Sequence, residues 1–94
     1  MADQFKSLEI IVSGRVQRVG FRNFIFEKAV ELSIKGTVKN KDDGSVLINA
    51  TGTNMQLDEF IEWCQRGSPI SKVNKVKVET LDNVDHSVDF RIQK

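Results

Sequence analysis

Apolar and polar residues alternate at the start of this chain and then recur with a helical period. Residues 7–13 alternate so that one face carries only apolar side chains, which are Leu8, Ile10 and Val12. This pattern predicts a first strand with one face in a core. From Phe21 the apolar side chains recur three and four residues apart, which predicts a first helix over Phe21–Ser33.

The remainder of the chain repeats these strand and helix patterns. Alternation predicts further strands at residues 34–39, 45–51, 72–80 and 90–92. The pair Asp43-Gly44 predicts a tight hairpin between the first two of them. Thr53-Asn54-Met55-Gln56 matches a capping box, so a second helix is expected to begin there and to end at Gly67-Ser68-Pro69.

The resulting element order is β-α-β-β-α-β with a short closing strand. This order predicts an α+β fold, the ferredoxin-like split-βαβ sandwich, with two helices packed on one face of an antiparallel sheet. The strand over 72–80 has lysines among its valines, which is typical of an exposed edge strand. A chain of 94 residues suits one domain, so 1–94 is expected to form a single domain.

Composition and charge exclude several classes of function. Fourteen basic and 13 acidic residues leave a net charge of +1, which argues against a nucleic-acid partner, because non-specific binding needs a strong basic excess. Cys64 is the only cysteine and falls on the apolar stripe of the second helix, so it is expected to be a core residue. With His86 as the only histidine, no metal site is predicted.

The chain carries no predicted export or membrane segment. Met1–Ser7 is polar and lacks the apolar stretch of a signal peptide. No apolar run reaches the length of a membrane span, so no membrane partner is expected. These features favour a cytoplasmic protein, which we expect to be a monomer.

The start of the first helix is the candidate functional site. The second helix has a capping side chain, whereas the first begins after Val19-Gly20 with no Ser, Thr, Asp or Asn and has Arg22 in its first turn. Its first amide N–H groups therefore lack an acceptor, and the cation there is unfavourable by about 0.3–1 kcal/mol. A bound phosphate would accept hydrogen bonds from these N–H groups and would make the positive charge of Arg22 favourable there. The alternative is that water caps the helix and Arg22 points outward.

Topology selects Asn40 as a second candidate. In a split βαβ fold the first and second strands are parallel and the third lies between them, so the loop after the first strand and the end of the second emerge at one end of the sheet. Two strand spacings separate them by about 10 Å, which leaves room for a phosphate and a water molecule. The amide of Asn40 could hold that water, although asparagine before Lys-Asp-Asp-Gly is also an ordinary turn residue.

These residues resemble the acylphosphatase family. The family has a Gly-x-Val-Gln-Gly-Val-x-Phe-Arg loop and a strand that ends in Asn before an Asp-Gly-type hairpin, and this chain has Gly14-Arg15-Val16-Gln17-Arg18-Val19-Gly20-Phe21-Arg22, then Asn40 and Asp43-Gly44. The resemblance covers essentially the whole chain. It implies hydrolysis of acyl phosphates to carboxylate and inorganic phosphate without a metal or cofactor. Inorganic phosphate would also inhibit the reaction. The resemblance implies that Arg22 and Asn40 are catalytic. The phosphate would be bound by Arg15, Val16, Gln17, Arg18, Val19, Gly20 and Arg22.

One residue departs from the family pattern. Arg18 stands where the family usually has glycine, and a positive φ at that position would cost about 1 kcal/mol. A loop altered by Arg18 leaves a second hypothesis, a domain that binds phosphate or acyl phosphate without turnover. A third is an RNA-binding module of the RRM type, which shares the element order, but the strand over 45–51 lacks the aromatic residues of that class.

Overall fold

The computed structural model describes residues 4–93 and contains every predicted strand and helix. Neither helix in this range is long and apolar enough to cross a membrane. The elements in chain order are β1 Phe5–Arg15, α1 Phe21–Glu31, β2 Lys35–Asn40, β3 Val46–Thr53, α2 Asn54–Arg66, β4 Lys72–Thr80 and β5 Phe90–Gln93.

The strands form one sheet in the order β4-β1-β3-β2-β5. β1 and β2 each pair antiparallel with β3, so they run parallel to each other with β3 inserted between them. This arrangement, with both helices packed against the sheet, confirms the ferredoxin-like α+β fold. β4 lies at one edge of the sheet, as the lysine pattern predicted.

The predicted antiparallel sheet needs one correction, because the described sheet is mixed. β5 pairs in parallel with β2, in a register that joins Gly36 to Phe90 and Lys39 to Gln93. The physical reason is the connection over residues 81–89, which carries the chain from β4 at one edge to β2 at the other and reverses its direction. The backbone amide of Leu81 and that of Asp85 hold this connection to Ser7 of β1.

The core lies between the helices and the sheet. The predicted inward face of β1 is confirmed, because Leu8, Ile10 and Val12 are at most 3% exposed. Cys64 is completely buried in the same core, and burial raises the pKa of its thiol to about 12. The thiolate is therefore absent near neutral pH, which agrees with a packing role for Cys64.

Several element bounds differ from the sequence prediction by one or two residues, and the physical reason is clear for two of them. α1 ends at Glu31 instead of Ser33, because Ser33 has a positive φ of 59°, which is outside the helical region. β1 extends to Arg15 instead of Ser13, because the edge strand β4 continues to pair with it past a bulge after Ser13. This extension carries β1 directly into the candidate site.

Candidate active site

The end of β1 delivers the chain into the loop that precedes α1. Gly14 follows the bulge and has a φ of 125°, and a Cβ at this position would collide with the backbone carbonyl of Lys72. Only glycine fits both restraints, since other residues rarely adopt this conformation. The close contact between Gly14 and β4 therefore fixes the direction in which the loop leaves the sheet.

The N-terminus of α1 lacks a side-chain cap, whereas that of α2 has a complete one. Thr53 accepts a hydrogen bond from the backbone N–H of Gln56 at 3.3 Å, and the Gln56 side chain accepts one from the Thr53 N–H at 2.8 Å. In α1 the cap residue is Gly20, with a φ of 74° and no side-chain hydrogen bond. The first turn of α1 thus presents amide N–H groups that suit an anion.

Two valines and a serine hold the loop in place. Val16 and Val19 are 1% and 9% exposed and belong to the core. Ser68, which follows α2, donates from its hydroxyl to the backbone carbonyl of Val19 at 3.0 Å. From the sequence, Ser68 was expected only to help end α2, but its hydroxyl is buried and therefore needs a hydrogen-bond partner.

Arg18 has the positive φ whose cost was considered from the sequence. Its φ is 62°, and its side chain is exposed. This conformation is unfavourable by about 1–2 kcal/mol for a residue with a Cβ, but not for glycine. The backbone of the loop is therefore strained at Arg18.

We expect Arg18→Gly to stabilise the protein. Relief of the left-handed strain outweighs the greater freedom of glycine in the unfolded chain, so the free energy of unfolding should rise by about 0.5–1 kcal/mol. Urea denaturation measures this change. Ser33→Gly is the matched control, since Ser33 has a φ of 59° at the other end of α1. A lower unfolding midpoint for Arg18→Gly would mean that the arginine side chain makes a compensating interaction.

Arg22 lies in the first turn of α1 beside a pocket. Its side chain is half-buried, and its Nη1 donates to the backbone carbonyl of Gln93 at 2.9 Å. The pocket has a volume of about 160 Å³. It is lined by Val16, Arg18, Gly20, Phe21, Arg22, Asn23 and Ile92.

Asn40 ends β2 at the same end of the sheet. It pairs with Val46, which pairs with Val12, so these residues form one row across the three strands. β1 enters the loop just after this row, as the topology argument required. Asn40 does not line the pocket at Arg22; it faces a separate shallow depression with Lys39, Lys41, Asp42 and Leu47.

The side-chain carbonyl oxygen of Asn40 is buried and has no hydrogen-bond partner within residues 4–93. The hairpin turn is held by other groups. Asp43 accepts hydrogen bonds from the backbone N–H of Ser45 at 3.0 Å and from its hydroxyl at 2.5 Å, and these bonds lower the pKa of the Asp43 carboxyl. A buried acceptor without a donor is uncommon and calls for an explanation.

Gln17 connects the loop to this hairpin. Its side-chain amide donates to the backbone carbonyl of Lys41 at 2.7 Å and to that of Ser45 at 2.9 Å. From the sequence, Gln17 was expected only among the phosphate-binding residues, and this contact was not predicted. A polar side chain next to the buried Val16 is itself a signal, because it must find partners when the loop packs.

The described residues 4–93 contain no group of three or more His, Cys, Asp or Glu side chains that could hold a metal ion. The candidate site combines the backbone of the loop with the side chains of Arg18, Arg22 and Asn40. Arg18 and Arg22 line the pocket, and Asn40 lies beyond it at the end of the neighbouring strand.

The family model, the sequence comparison and the structure comparison each find acylphosphatases. The acylphosphatase family model matches residues 8–92. Acylphosphatase from Bacillus licheniformis is 47% identical over 83 residues, which are 88% of this chain and 92% of that protein. The crystal structure of acylphosphatase from Bacillus subtilis has a TM-score of 0.92 at 40% identity and covers 97% of this chain and 100% of that one. An acylphosphatase structure from Coxiella burnetii has a TM-score of 0.90 at 35% identity, covering 95% and 93%.

Proposed function

The chain belongs to the acylphosphatase family, and we propose that its 14–22 loop and Arg22 hold the phosphoryl group of an acyl phosphate while Asn40 orients the attacking water. It is a hydrolase that acts on small-molecule acyl phosphates, the mixed anhydrides of a carboxylic acid and phosphoric acid. The observation that carries the assignment of roles is the uncapped helix start at Gly20, with Arg22 beside a pocket of about 160 Å³.

The loop holds the phosphoryl oxygens. The backbone N–H groups of Arg15–Gly20 form a nest for them, and the positive end of α1 favours their charge. Arg22 adds a planar, permanently charged group that can donate two parallel hydrogen bonds. Its contact with the Gln93 carbonyl holds the guanidinium beside the pocket before substrate arrives.

Asn40 orients the water. Its side-chain amide, which can both donate and accept a hydrogen bond, lines the depression at the end of β2 and suits a water molecule. The water oxygen attacks phosphorus, the bond from phosphorus to the acyl oxygen breaks, and the carboxylate leaves with the electron pair. The proton of the water passes to an oxygen of the phosphoryl group. Inorganic phosphate is the second product and competes for the same loop. Positioning and charge stabilisation are the main requirements of such a transfer.

A benzoyl phosphate assay on the purified chain, without added metal, tests this function. We expect turnover that chelators leave unchanged, with inorganic phosphate as a competitive inhibitor. The matched control is Arg22→Ala, which should be inactive in the same preparation. Phosphate binding without turnover in the unsubstituted chain would instead favour the binding-domain hypothesis.

The proposal extends to the physical state of the protein, a single-domain monomer in the cytoplasm. One continuous hydrophobic core joins both helices to the sheet, which supports a single folding unit. The free, buried Cys64 fits a reducing compartment.

A further inference from the structure

The amide of Gln17 bridges two structural units that carry different parts of the proposed site. It lies in the loop before α1, and its Nε2 reaches the Lys41 carbonyl at 2.7 Å and the Ser45 carbonyl at 2.9 Å in the β2–β3 hairpin. These acceptors are 24 and 28 residues away along the chain. Lys41 follows Asn40 directly, so the bridge fixes the loop against the residue that ends β2.

The hairpin does not need this amide to satisfy its carbonyl groups. The Lys41 carbonyl also accepts from the Gly44 N–H at 3.2 Å, and the Ser45 carbonyl accepts from the Lys41 N–H at 2.8 Å. Loss of the Gln17 amide would therefore leave neither carbonyl without a donor. Its two hydrogen bonds add a restraint between the loop and the hairpin to a turn that is already closed.

The loop has a second anchor that does not involve the hairpin. The Ser68 hydroxyl donates to the Val19 carbonyl at 3.0 Å, from the segment between α2 and β4. This anchor lies immediately before Gly20 and the N-terminus of α1. Ser68 therefore supports the phosphate end of the loop, and Gln17 joins the loop to the Asn40 end of the hairpin.

We propose that Gln17 is a positioning residue whose side chain sets the distance between the phosphate loop and Asn40. This inference rests on the proposed role of Asn40 in orienting water. Binding of phosphate needs only the loop, α1 and Arg22. Turnover needs the loop and the hairpin in register, so the Gln17 bridge acts on the catalytic step more than on binding.

The test is Gln17→Met, which keeps the length of the side chain and removes its donor. Misplacement of reacting groups by 1 Å can lower the rate about 100-fold. Loss of two hydrogen bonds should allow a smaller displacement than this, so we expect kcat for benzoyl phosphate to fall about tenfold. The inhibition constant of inorganic phosphate should change less than about twofold, since the loop still binds. The variant should remain folded at the assay temperature, which a thermal melt checks.

Ser68→Ala is the matched control. It also removes one side-chain hydrogen bond that holds the loop, but the bond leads away from the hairpin. We expect it to weaken phosphate inhibition at least as much as it lowers kcat. The same ratio of effects in Ser68→Ala and Gln17→Met would overturn the proposal, because both residues would then only hold the loop in shape.

A double-mutant cycle with Asn40→Ala separates this inference from the function on which it rests. If Gln17 acts through Asn40, Gln17→Met should cost less than about twofold in kcat when Asn40 is already alanine. A full tenfold loss in that background would overturn the positioning role of Gln17. An unchanged kcat in Asn40→Ala alone would instead refute the role of Asn40. If the double variant is too slow to measure, the comparison of kcat with phosphate inhibition decides the question.

Discussion

Arg22→Ala is expected to abolish phosphate binding and turnover together, and Arg22→Lys should restore little of either. Lysine keeps the positive charge but lacks the planar pair of donors that matches two phosphoryl oxygens. A fork-shaped contact made in the transition state is expected to contribute at least 100-fold, about 2.7 kcal/mol, to kcat/KM. Benzoyl phosphate kinetics and calorimetric titration with inorganic phosphate measure the two effects.

Stability distinguishes this loss from a folding defect. Removal of a cation from a helix N-terminus is favourable by about 0.3–1 kcal/mol, and the exposed contact with the Gln93 carbonyl offsets a similar amount. Arg22→Ala should therefore unfold within about 1 kcal/mol of the unsubstituted protein. Arg91→Lys is the control, because Arg91 is an exposed arginine of β5 paired with Asp89. Near-normal turnover of Arg22→Lys would disprove the bidentate role.

Local sequence patterns were enough to predict most of the fold. The alternation in β1, the capping box at Thr53 and the hairpin at Asp43-Gly44 depend on neighbours within a few residues, and all three are present. The parallel pairing of β5 with β2 depends instead on which sheet edge remains free after β4 is placed. Periodicity carries no information about that choice.

The candidate site was predictable in outline for the same reason. Gly20 and Arg22 break local rules for a helix start, so they stand out without a structure. The hydrogen bonds that the Gln17 side chain donates could not be predicted, because their acceptors are backbone carbonyls 24 and 28 residues away. Backbone acceptors carry no residue-specific signal. The positive φ of Arg18 was foreseen only as a condition, since it depends on the path of the loop between two buried valines.

Asn40→Ala is expected to lower turnover far more than phosphate binding. The side chain lies outside the pocket at Arg22, so the bound phosphate keeps its contacts with the loop. The attacking water loses its partner, and loss of such positioning is expected to lower kcat about 100-fold. The inhibition constant of inorganic phosphate should change less than about threefold. Equal losses in both quantities would make Asn40 a binding residue instead.

The stability of Asn40→Ala separates catalysis from the alternative role as a turn residue. A residue that starts the hairpin should cost stability when it is replaced, yet the turn is held by Asp43 and by the Lys41–Ser45 backbone pair. Alanine should therefore leave the unfolding midpoint nearly unchanged while kcat falls. Asn49→Ala, at a half-buried position of β3, is the control and should leave kcat unchanged. A variant that is equally stable but slower is the result expected of a residue retained for chemistry, because a turn residue would lose stability when it is replaced.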